Sequence, residues 1–237
     1  MDNEANVDES LVIHDEIKSA FHQLPKFNKN YNIVITGPVS AGKSTLLTTL
    51  YNLLSVNQNV QTFPEFVTDS FGQEILKKML LKELSVLTFQ SYILDFWDKM
   101  PRYKNINLYE RVLDDTVFVF CRYYLKHNKL SHDEYKVLEE KMHFINEIWS
   151  LPSYKCKDVE FHLMHDAPLN EELMQIYNII KNDYNKSKTV IFGLDISPTI
   201  IKSRISKRGR EGEDTYDDEY INTICEYYKD LYAHITN

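Results

Sequence analysis

Residues 37–45, which read GPVSAGKST, constrain the fold of this chain more than any other feature. They match the pattern G-x-x-x-x-G-K-[ST], follow an apolar run at 32–36 that indicates a strand, and precede a run at 46–54 that indicates a helix. A strand that turns sharply into a helix directs several backbone N–H groups and a helix N-terminus at one point, which suits a polyphosphate. The segment therefore predicts a nucleotide-binding phosphate loop rather than an ordinary glycine-rich turn.

The residues of this loop predict separate contacts with phosphate and metal. Lys43 is expected to reach the outer phosphates, and the hydroxyl of Ser44 is expected to ligate Mg²⁺. The residues that we expect around the phosphates are Gly37, Ser40, Ala41, Gly42, Lys43, Ser44 and Thr45.

Length, charge and cysteine content narrow the class of protein. With 237 residues, the chain is long enough for one α/β domain with a substantial core. The formal net charge of −8 argues against nucleic acid or an anionic membrane as a partner, because both favour an excess of Lys and Arg. The acidic N-terminus resembles neither a secretory nor a transit peptide. Three cysteines without a C-x-x-C pair indicate free thiols in a reducing compartment, so we expect a cytoplasmic protein.

Strand-like and helix-like segments alternate from residue 31 onward, which predicts an α/β fold with a five-stranded parallel sheet covered by helices on both faces. We expect residues 1–28 to form a polar N-terminal extension with a short amphipathic helix near 11–24, and residues 29–237 to form a single domain. The predicted strands are 32–36, 60–64, 105–109, 160–164 and 189–196. The predicted helices are 43–57, 72–83, 84–100, 113–128, 131–149, 170–185, 198–207 and 216–233.

Other classes of phosphate-loop protein lack their signatures here. A GTPase needs an Asn/Thr-Lys-x-Asp motif to read guanine, whereas residues 128–131 read NKLS and residues 185–188 read NKSK. The Leu-Ser-Gly-Gly signature of transport ATPases does not occur in the sequence. These observations favour a kinase.

Acidic and basic residues end two of the predicted strands. Glu65 follows the second strand, where a carboxylate can accept a proton from a hydroxyl that attacks a γ-phosphoryl group. Glu110 and Arg111 end the third strand, where Glu110 can help to hold Mg²⁺ through water and Arg111 can contact phosphate or the acceptor oxygen. For Glu65 the alternative is an ordinary surface glutamate in a loop, and for Glu110 and Arg111 it is a salt bridge at the edge of the sheet.

Two further parts of the sequence suit the binding of a nucleobase and the formation of a lid over the phosphates. Gln90 offers a donor and an acceptor side by side, which fits the edge of a nucleobase, and Phe89 and Phe120 offer surface for stacking, although such aromatic residues are usually core. The basic run 204–210, with glycines at 209 and 212, suits a hinged lid that closes over phosphates, the alternative being a solvated basic helix face.

Together these motifs resemble the deoxynucleoside kinase family, which includes thymidine, deoxycytidine and deoxyguanosine kinases. The resemblance covers about residues 31–233. It includes the phosphate loop, Glu65 in the family's Glu-Pro-Val motif, Gln90 in its Phe-Gln-Ser-Tyr segment, Glu110-Arg111 in its Glu-Arg-Ser motif, and the lid sequence RGREGE at 208–213.

The resemblance implies a P-loop kinase fold with a helical lid, ATP as the phosphate donor, Mg²⁺ and a homodimer. It implies that Glu65 is the general base for the 5′-hydroxyl of a deoxynucleoside and that Arg111 contacts the 5′-oxygen. It also implies that Arg208 and Arg210 clamp the transferring phosphoryl group and that Ser44 and Glu110 serve the metal. The implied substrate-binding residues are Phe89, Gln90, Ile93, Trp97, Thr116, Phe120 and Glu213, of which Glu213 meets the sugar 3′-hydroxyl.

The chain also departs from the family pattern. Phe66 follows the catalytic glutamate where the family has Pro, and Val112 replaces the Ser after Glu110-Arg111. The family's tryptophan soon after that glutamate is missing, and its sugar-contacting tyrosine has no counterpart in 71–88. Trp97 and Thr116 stand where members that favour deoxycytidine or purines have an Arg–Asp pair, so we expect a pyrimidine, thymidine above all.

Two alternatives remain open from the sequence. The first is a nucleoside monophosphate kinase similar to thymidylate kinase, which shares the phosphate loop and lid. The second is a catalytically silent nucleotide-binding subunit of another kinase. The abundance of Asn, Lys, Ile and Tyr suits an AT-rich genome such as that of a large DNA virus.

Overall fold

The computed structural model describes residues 12–100, 105–156 and 158–236, and within them one parallel five-stranded sheet lies between helices. Its order is β2-β3-β1-β5-β4. The strands are β1 (Tyr31–Thr36), β2 (Val60–Phe63), β3 (Ile106–Glu110), β4 (Val159–His165) and β5 (Lys188–Asp195). The central strands read as nearly continuous apolar runs because helices cover both of their faces. The predicted fold class is confirmed.

Ten α-helices surround the sheet in the described part of the chain. They are α1 (Asp15–His22), α2 (Lys43–Leu54), α3 (Ser70–Leu80), α4 (Val86–Lys99), α5 (Leu113–Asp115), α6 (Arg122–Lys126), α7 (His132–Trp149), α8 (Leu169–Ile180), α9 (Pro198–Arg208) and α10 (Asp218–Thr236). Side-chain caps set several starts: Asp69 accepts from the N–H of Gly72, and Ser131 forms a capping box with Glu134. None of the helices in the described residues is long and apolar enough to cross a membrane.

The single helix expected over 113–128 is divided in the structure. A π-helical segment, Thr116–Cys121, joins α5 to α6. Such segments are rare and lie frequently at functional sites, because one extra residue per turn re-aims the side chains. Here the segment carries Thr116 and Phe120, both of which face the cavity described below.

The N-terminal residues differ from the polar extension expected for 1–28. Helix α1 falls within the predicted amphipathic segment, and Ile17 and Phe21 are buried on its inner face against α2 and α8. Full burial of a side chain such as Phe21 contributes about 1.5–3 kcal/mol. Leu24 and Phe27 continue the buried face, so residues 12–28 pack as part of the domain. Residues 1–11 lie outside the described part of the chain.

The carboxyl ends of the strands lie along one edge of the sheet. In an open parallel sheet, ligands bind in the crevice outside this edge. The phosphate loop follows β1, Glu65 follows β2, Glu110 ends β3, and Asp166 follows β4. The fold therefore brings together residues that lie more than one hundred positions apart in the sequence.

Candidate active site

A cavity of about 910 Å³ opens at this edge of the sheet. The predicted residues that line it are Ser40, Ala41, Gly42, Lys43, Ser44, Thr45, Glu65, Phe89, Gln90, Ile93, Trp97, Glu110, Arg111, Thr116, Phe120, Arg208, Arg210 and Glu213. Gly37 does not line the cavity, but its carbonyl accepts a hydrogen bond from Nη1 of Arg111 at 2.5 Å. Gly37 has a φ of 147°, and a Cβ there would lie 3.0 Å from the carbonyl oxygen of Leu194, so glycine lets the loop approach β5.

Lys43 is buried at the start of α2, and its Nζ donates to the carbonyl of Pro38 at 2.8 Å. Gly42, just before it, adopts a left-handed conformation with a φ of 104°. Burial lowers the pKa of Lys43 to about 8, with a further contribution from Arg111, while Glu65 and Glu110 oppose the shift. A polyphosphate bound in the loop would place a compensating negative charge beside this buried ammonium.

Arg111 joins the phosphate loop to Glu65. Its Nε donates to Oε1 of Glu65 at 2.8 Å, and its Nη1 donates to the hydroxyl of Tyr228 as well as to Gly37. The guanidinium also lies 4.9 Å from the ring centre of Phe120. Arg111 has a φ of 71°, which is strained for a residue with a Cβ, so the surrounding contacts hold it in this conformation.

Glu65 is held at the cavity by the segment that follows it. The short 3₁₀ helix Phe66–Thr68 lies directly against the start of α3, where a Cβ on Gly72 would come within 1.9 Å of the carbonyl oxygen of Phe66. Burial would raise the pKa of Glu65, but Arg111 and Lys43 outweigh burial and lower it to about 2. The carboxylate is therefore ionised at neutral pH.

Glu110 and Ser44 present oxygen atoms beside the phosphate loop. The hydroxyl of Ser44 donates to Oε1 of Glu110 at 2.8 Å. Burial, and then the charge of Glu65, raise the pKa of Glu110. Among the described residues no group of three or more His, Cys, Asp or Glu side chains forms a closed metal site. The pair fits Mg²⁺, which binds through few protein oxygens and takes its other ligands from phosphates and water.

The far end of the cavity is neutral. Gln90 is 1% exposed, and its Oε1 has no hydrogen-bond partner within the described part of the chain. Trp97 stacks parallel to Tyr109, with 6.0 Å between ring centres, and closes this end. A buried amide oxygen without a partner costs free energy unless a ligand satisfies it, so this end is suited to a polar, flat group.

Asp114 and Asp115 precede Thr116, but neither of them is among the residues that line the cavity. Asp115 accepts from the hydroxyls of Thr36 and Tyr154 at 2.5 and 2.6 Å. Asp114 accepts from the amide of Asn146 at 2.8 Å and from Ser153 at 2.6 Å. Burial raises the pKa of Asp115 to about 6.

The segment after α9 closes over the cavity. Arg208 donates to both carboxylate oxygens of Glu213 at 2.6 Å, and Arg210 donates to Oε1 at 3.3 Å. Glu213 is 2% exposed, so its charge is compensated by these two arginines. Gly209 and Gly212 have φ values of 59° and 89°, which lets the chain turn sharply between the three side chains.

Several cavity residues were not predicted from the sequence. They are the tyrosines Tyr124, Tyr216 and Tyr220, the acidic residues Asp166 and Glu172, and the loop residues between these two. Tyr228, which holds Arg111, was also missed. A signal for some of them exists in the regular spacing of tyrosines along α10, which places Tyr220 and Tyr228 on its buried face.

Comparisons with known proteins give the family. A family profile described as deoxynucleoside kinase matches residues 33–156, just over half of the chain. No match is found among curated proteins. A deoxyadenosine kinase from M. mycoides with bound dATP is 21% identical over 85% of this chain and 83% of its own, with a TM-score of 0.51. A structure of that enzyme with the products dCMP and a flexible dCDP is 20% identical over 86% and 83%, with a TM-score of 0.55.

At these identities the two structures show a shared fold alone. The family match is more informative, because it includes the phosphate loop, Glu65, Gln90 and Arg111, which the fold gathers in one cavity. This chain belongs to the deoxynucleoside kinase family and is an enzyme that phosphorylates deoxynucleosides.

Proposed function

We propose that the protein transfers the γ-phosphoryl group of ATP to the 5′-hydroxyl of a pyrimidine deoxynucleoside, with thymidine among its best substrates. The observation that carries this proposal is the convergence of three groups on one cavity. These are the ionised Glu65, the buried cations Lys43 and Arg111, and the unpartnered amide oxygen of Gln90 at the neutral end.

Glu65 would act on the acceptor. Its carboxylate is ionised and lies beside the phosphate loop, so it can orient the 5′-hydroxyl and take its proton as the new P–O bond forms. Arg111 already contacts Glu65 and the backbone of the loop, and it would bridge the 5′-oxygen and the transferring group. A phosphoryl transition state is mostly stabilised by positioning and charge, which a buried guanidinium held by four partners supplies.

Ser44 and Glu110 would hold Mg²⁺ at the donor phosphates. When bound, the ion would supply positive charge at the β- and γ-oxygens of ATP. The residues themselves orient one another, since Ser44 donates to Glu110 and the buried Glu110 lies close to Lys43.

The preference for a pyrimidine follows from the charges around the neutral end. The charged residues of the cavity gather around the phosphate loop, Glu65 and the lid, whereas Gln90, Trp97 and Thr116 form the opposite end. Gln90 can donate to and accept from the O4 and N3–H edge of thymine. The bulk of Trp97 suits a single-ring base better than a purine.

The same distribution of charge distinguishes a nucleoside from a nucleoside monophosphate as acceptor. A thymidylate kinase needs additional cations for the phosphate of its acceptor. The described cationic side chains that line the cavity are Lys43, Arg111, Arg204, Arg208 and Arg210. Lys43 and Arg204 contact the phosphate loop, Arg111 contacts Glu65, and the two lid arginines contact Glu213, so each has a place in a nucleoside kinase. A silent subunit is disfavoured because Glu65, Lys43 and Arg111 are all retained.

We propose a cytoplasmic homodimer. Helices α4 and α7 pack together, and α7 exposes Val137, Phe144 and Ile148 along one stripe, at exposed fractions of 58, 62 and 52%. Trp149, at the end of α7, and Tyr92, on α4, are also exposed, at 44 and 37%. A contiguous exposed apolar patch indicates an interaction surface, and a second copy would cover it by pairing the same helices around a two-fold axis.

A panel of nucleosides tests the activity directly. The purified protein alone, with ATP and Mg²⁺, should phosphorylate thymidine faster than deoxycytidine, deoxyadenosine and deoxyguanosine, and should leave thymidylate unchanged. Turnover of thymidylate above that of thymidine would identify a monophosphate kinase. Turnover of deoxyguanosine far above that of thymidine would overturn the assignment of the base.

A further inference from the structure

A row of hydroxyl groups joins Arg111 to a buried carboxylate outside the cavity. Nη1 of Arg111 donates to the hydroxyl of Tyr228 on α10, which shares a hydrogen bond with the hydroxyl of Thr36 at the end of β1. Thr36 donates in turn to Oδ2 of Asp115 at 2.5 Å. The hydroxyl of Tyr154 donates to Oδ1 of the same carboxylate at 2.6 Å. Both oxygens of Asp115 are therefore occupied by donors.

The chemistry of the two end groups sets the direction of these hydrogen bonds. A guanidinium only donates and a carboxylate only accepts, whereas each hydroxyl can do both. Tyr228 therefore accepts from Arg111 and directs its own proton to Thr36, and Thr36 directs its proton to Asp115. A neutral acid or an amide at position 115 would carry a donor of its own. The hydroxyls could then turn, and Arg111 would lose the acceptor that faces it.

Asp115 acts at a distance from any substrate. Asp115, Thr36 and Tyr228 are fully buried, and none of them lines the cavity. Burial raises the pKa of Asp115 to about 6, although the charge of Arg111 and the two hydroxyl donors oppose the shift. Among the described residues, the titratable and charged groups that face Asp115 are Lys43, Arg111, Asp114, Tyr154, Tyr228 and Tyr232.

We propose that Asp115 is a positioning residue for phosphoryl transfer, which holds the guanidinium of Arg111 in place through Thr36 and Tyr228. The inference rests on the proposed function, which assigns Arg111 to the 5′-oxygen and the transferring group. Arg111 has a φ of 71°, so its strained backbone relies on its side-chain partners. A shift of a reacting contact by about 1 Å lowers a rate up to about 100-fold. Because the contact of Arg111 matters most in the transition state, the loss should fall on kcat rather than on binding.

The substitution Asp115→Asn tests the positioning role. It keeps the shape of the side chain, removes the charge and introduces an N–H donor. With ATP and the preferred deoxynucleoside of the panel at neutral pH, we expect kcat to fall about 10- to 100-fold. The dissociation constants of both substrates, measured by calorimetry, should stay nearly unchanged.

Asp114→Asn is the matched control. Asp114 is the neighbouring buried aspartate, and it accepts from Asn146 and Ser153 but has no hydrogen bond to the row that reaches Arg111. Its substitution should lower the melting temperature and leave kcat unchanged. An equal fall of kcat in Asp114→Asn and Asp115→Asn would show a role in folding alone and would overturn the inference.

The pH profile of kcat gives a readout that a structural role would not move. In the wild type, kcat should fall as pH drops through about 6, because Asp115 then becomes a neutral acid. Asp115→Asn should lose this part of the fall, whereas the contribution from the phosphates of ATP remains in both proteins. Tyr154→Phe removes one donor to the charged carboxylate but keeps Thr36 and Tyr228, so the fall should move about one unit higher in pH.

The outcomes separate the inference from the proposed function. Identical pH profiles in the wild type, Asp115→Asn and Tyr154→Phe would overturn the inference and leave the kinase activity intact. Tyr154→Phe provides this test even where Asp115→Asn does not fold. A wild-type protein that phosphorylates no nucleoside, or an Arg111→Lys variant with wild-type kcat, would overturn the proposed function and the inference together.

Discussion

The substitution Glu65→Gln separates catalysis from binding. Glutamine keeps the shape of the side chain and an oxygen that can accept from Nε of Arg111, but it removes the negative charge and the basic site. Among the described residues, Glu65 makes no hydrogen bond to the phosphate loop and is instead bonded to Arg111. Lys43 and Ser44 belong to the loop itself, where Lys43 donates to Pro38 and Ser44 donates to Glu110. We therefore expect the variant to bind ATP nearly as well as the wild type.

The sizes of the two effects follow from the contacts. Loss of a general base lowers a rate by about 10²- to 10⁴-fold. At the 2.8 Å separation of Arg111 and Glu65, an effective dielectric constant near 20 gives a Coulomb attraction of about 6 kcal/mol. Most of that attraction offsets the burial of Arg111, and the side chain of Glu65 is 29% exposed. With the hydrogen bond retained, we expect a loss of about 1–2 kcal/mol in the free energy of unfolding.

Single-turnover phosphoryl transfer measures the chemical step, and the dissociation constant of ATP measures binding. Glu74→Gln is the matched control, because Glu74 is exposed, pairs with Lys78 on the same helix and lies away from the cavity. It should change neither quantity. Wild-type turnover in Glu65→Gln would refute the assignment of the base. A parallel loss of ATP affinity would show instead that Glu65 acts by holding the loop through Arg111.

Two further predictions follow from charge and from exposed surface. Because the pKa of Lys43 is lowered to about 8 in the folded protein, kcat/KM should fall as pH rises through about 8. The free energy of unfolding should rise between pH about 8 and 10.5, because in this range the unfolded chain binds a proton that the folded chain has lost. Lys43→Met should abolish that rise in chemical denaturation measured against pH. Phe144→Asp should convert the proposed dimer into a monomer in light scattering, whereas His143→Asp, at an exposed neighbouring position on the same helix, should not; a wild-type monomer at micromolar concentration would contradict the proposed interface.

Local patterns explain what could be predicted from the sequence. All five strands were predicted within one residue of their observed bounds, and for the central strands β1, β3 and β5 this is because apolar runs between turn residues mark buried parallel strands. The phosphate loop was predictable because its geometry is set by contiguous residues. Helix α3 begins at Ser70, two residues before the predicted start at 72, because the side chain of Asp69 caps it.

What could not be predicted depends on tertiary structure. The π-helical segment, Thr116–Cys121, has the same apolar pattern as an ordinary helix, so the sequence alone does not distinguish the two. Helix α1 was predicted as part of a polar extension because only one narrow face of it is apolar. That face is buried by its contacts with α2 and α8, which the sequence of the helix does not show. Tyr216 reaches the cavity only because the lid turns at Gly209 and Gly212.

We expect Glu213 to link recognition of the sugar to recognition of the phosphates. Glu213 accepts hydrogen bonds from Arg208 and Arg210, so the expected acceptor of the 3′-hydroxyl compensates the charge of the expected phosphate clamp. A triphosphate that bound these arginines would compete with Glu213 and leave a buried carboxylate without partners, which is costly unless a hydroxyl donor replaces them. A deoxynucleoside supplies that donor. If this exchange occurs, each substrate favours the binding of the other, so we expect ATP to lower the dissociation constant of the nucleoside.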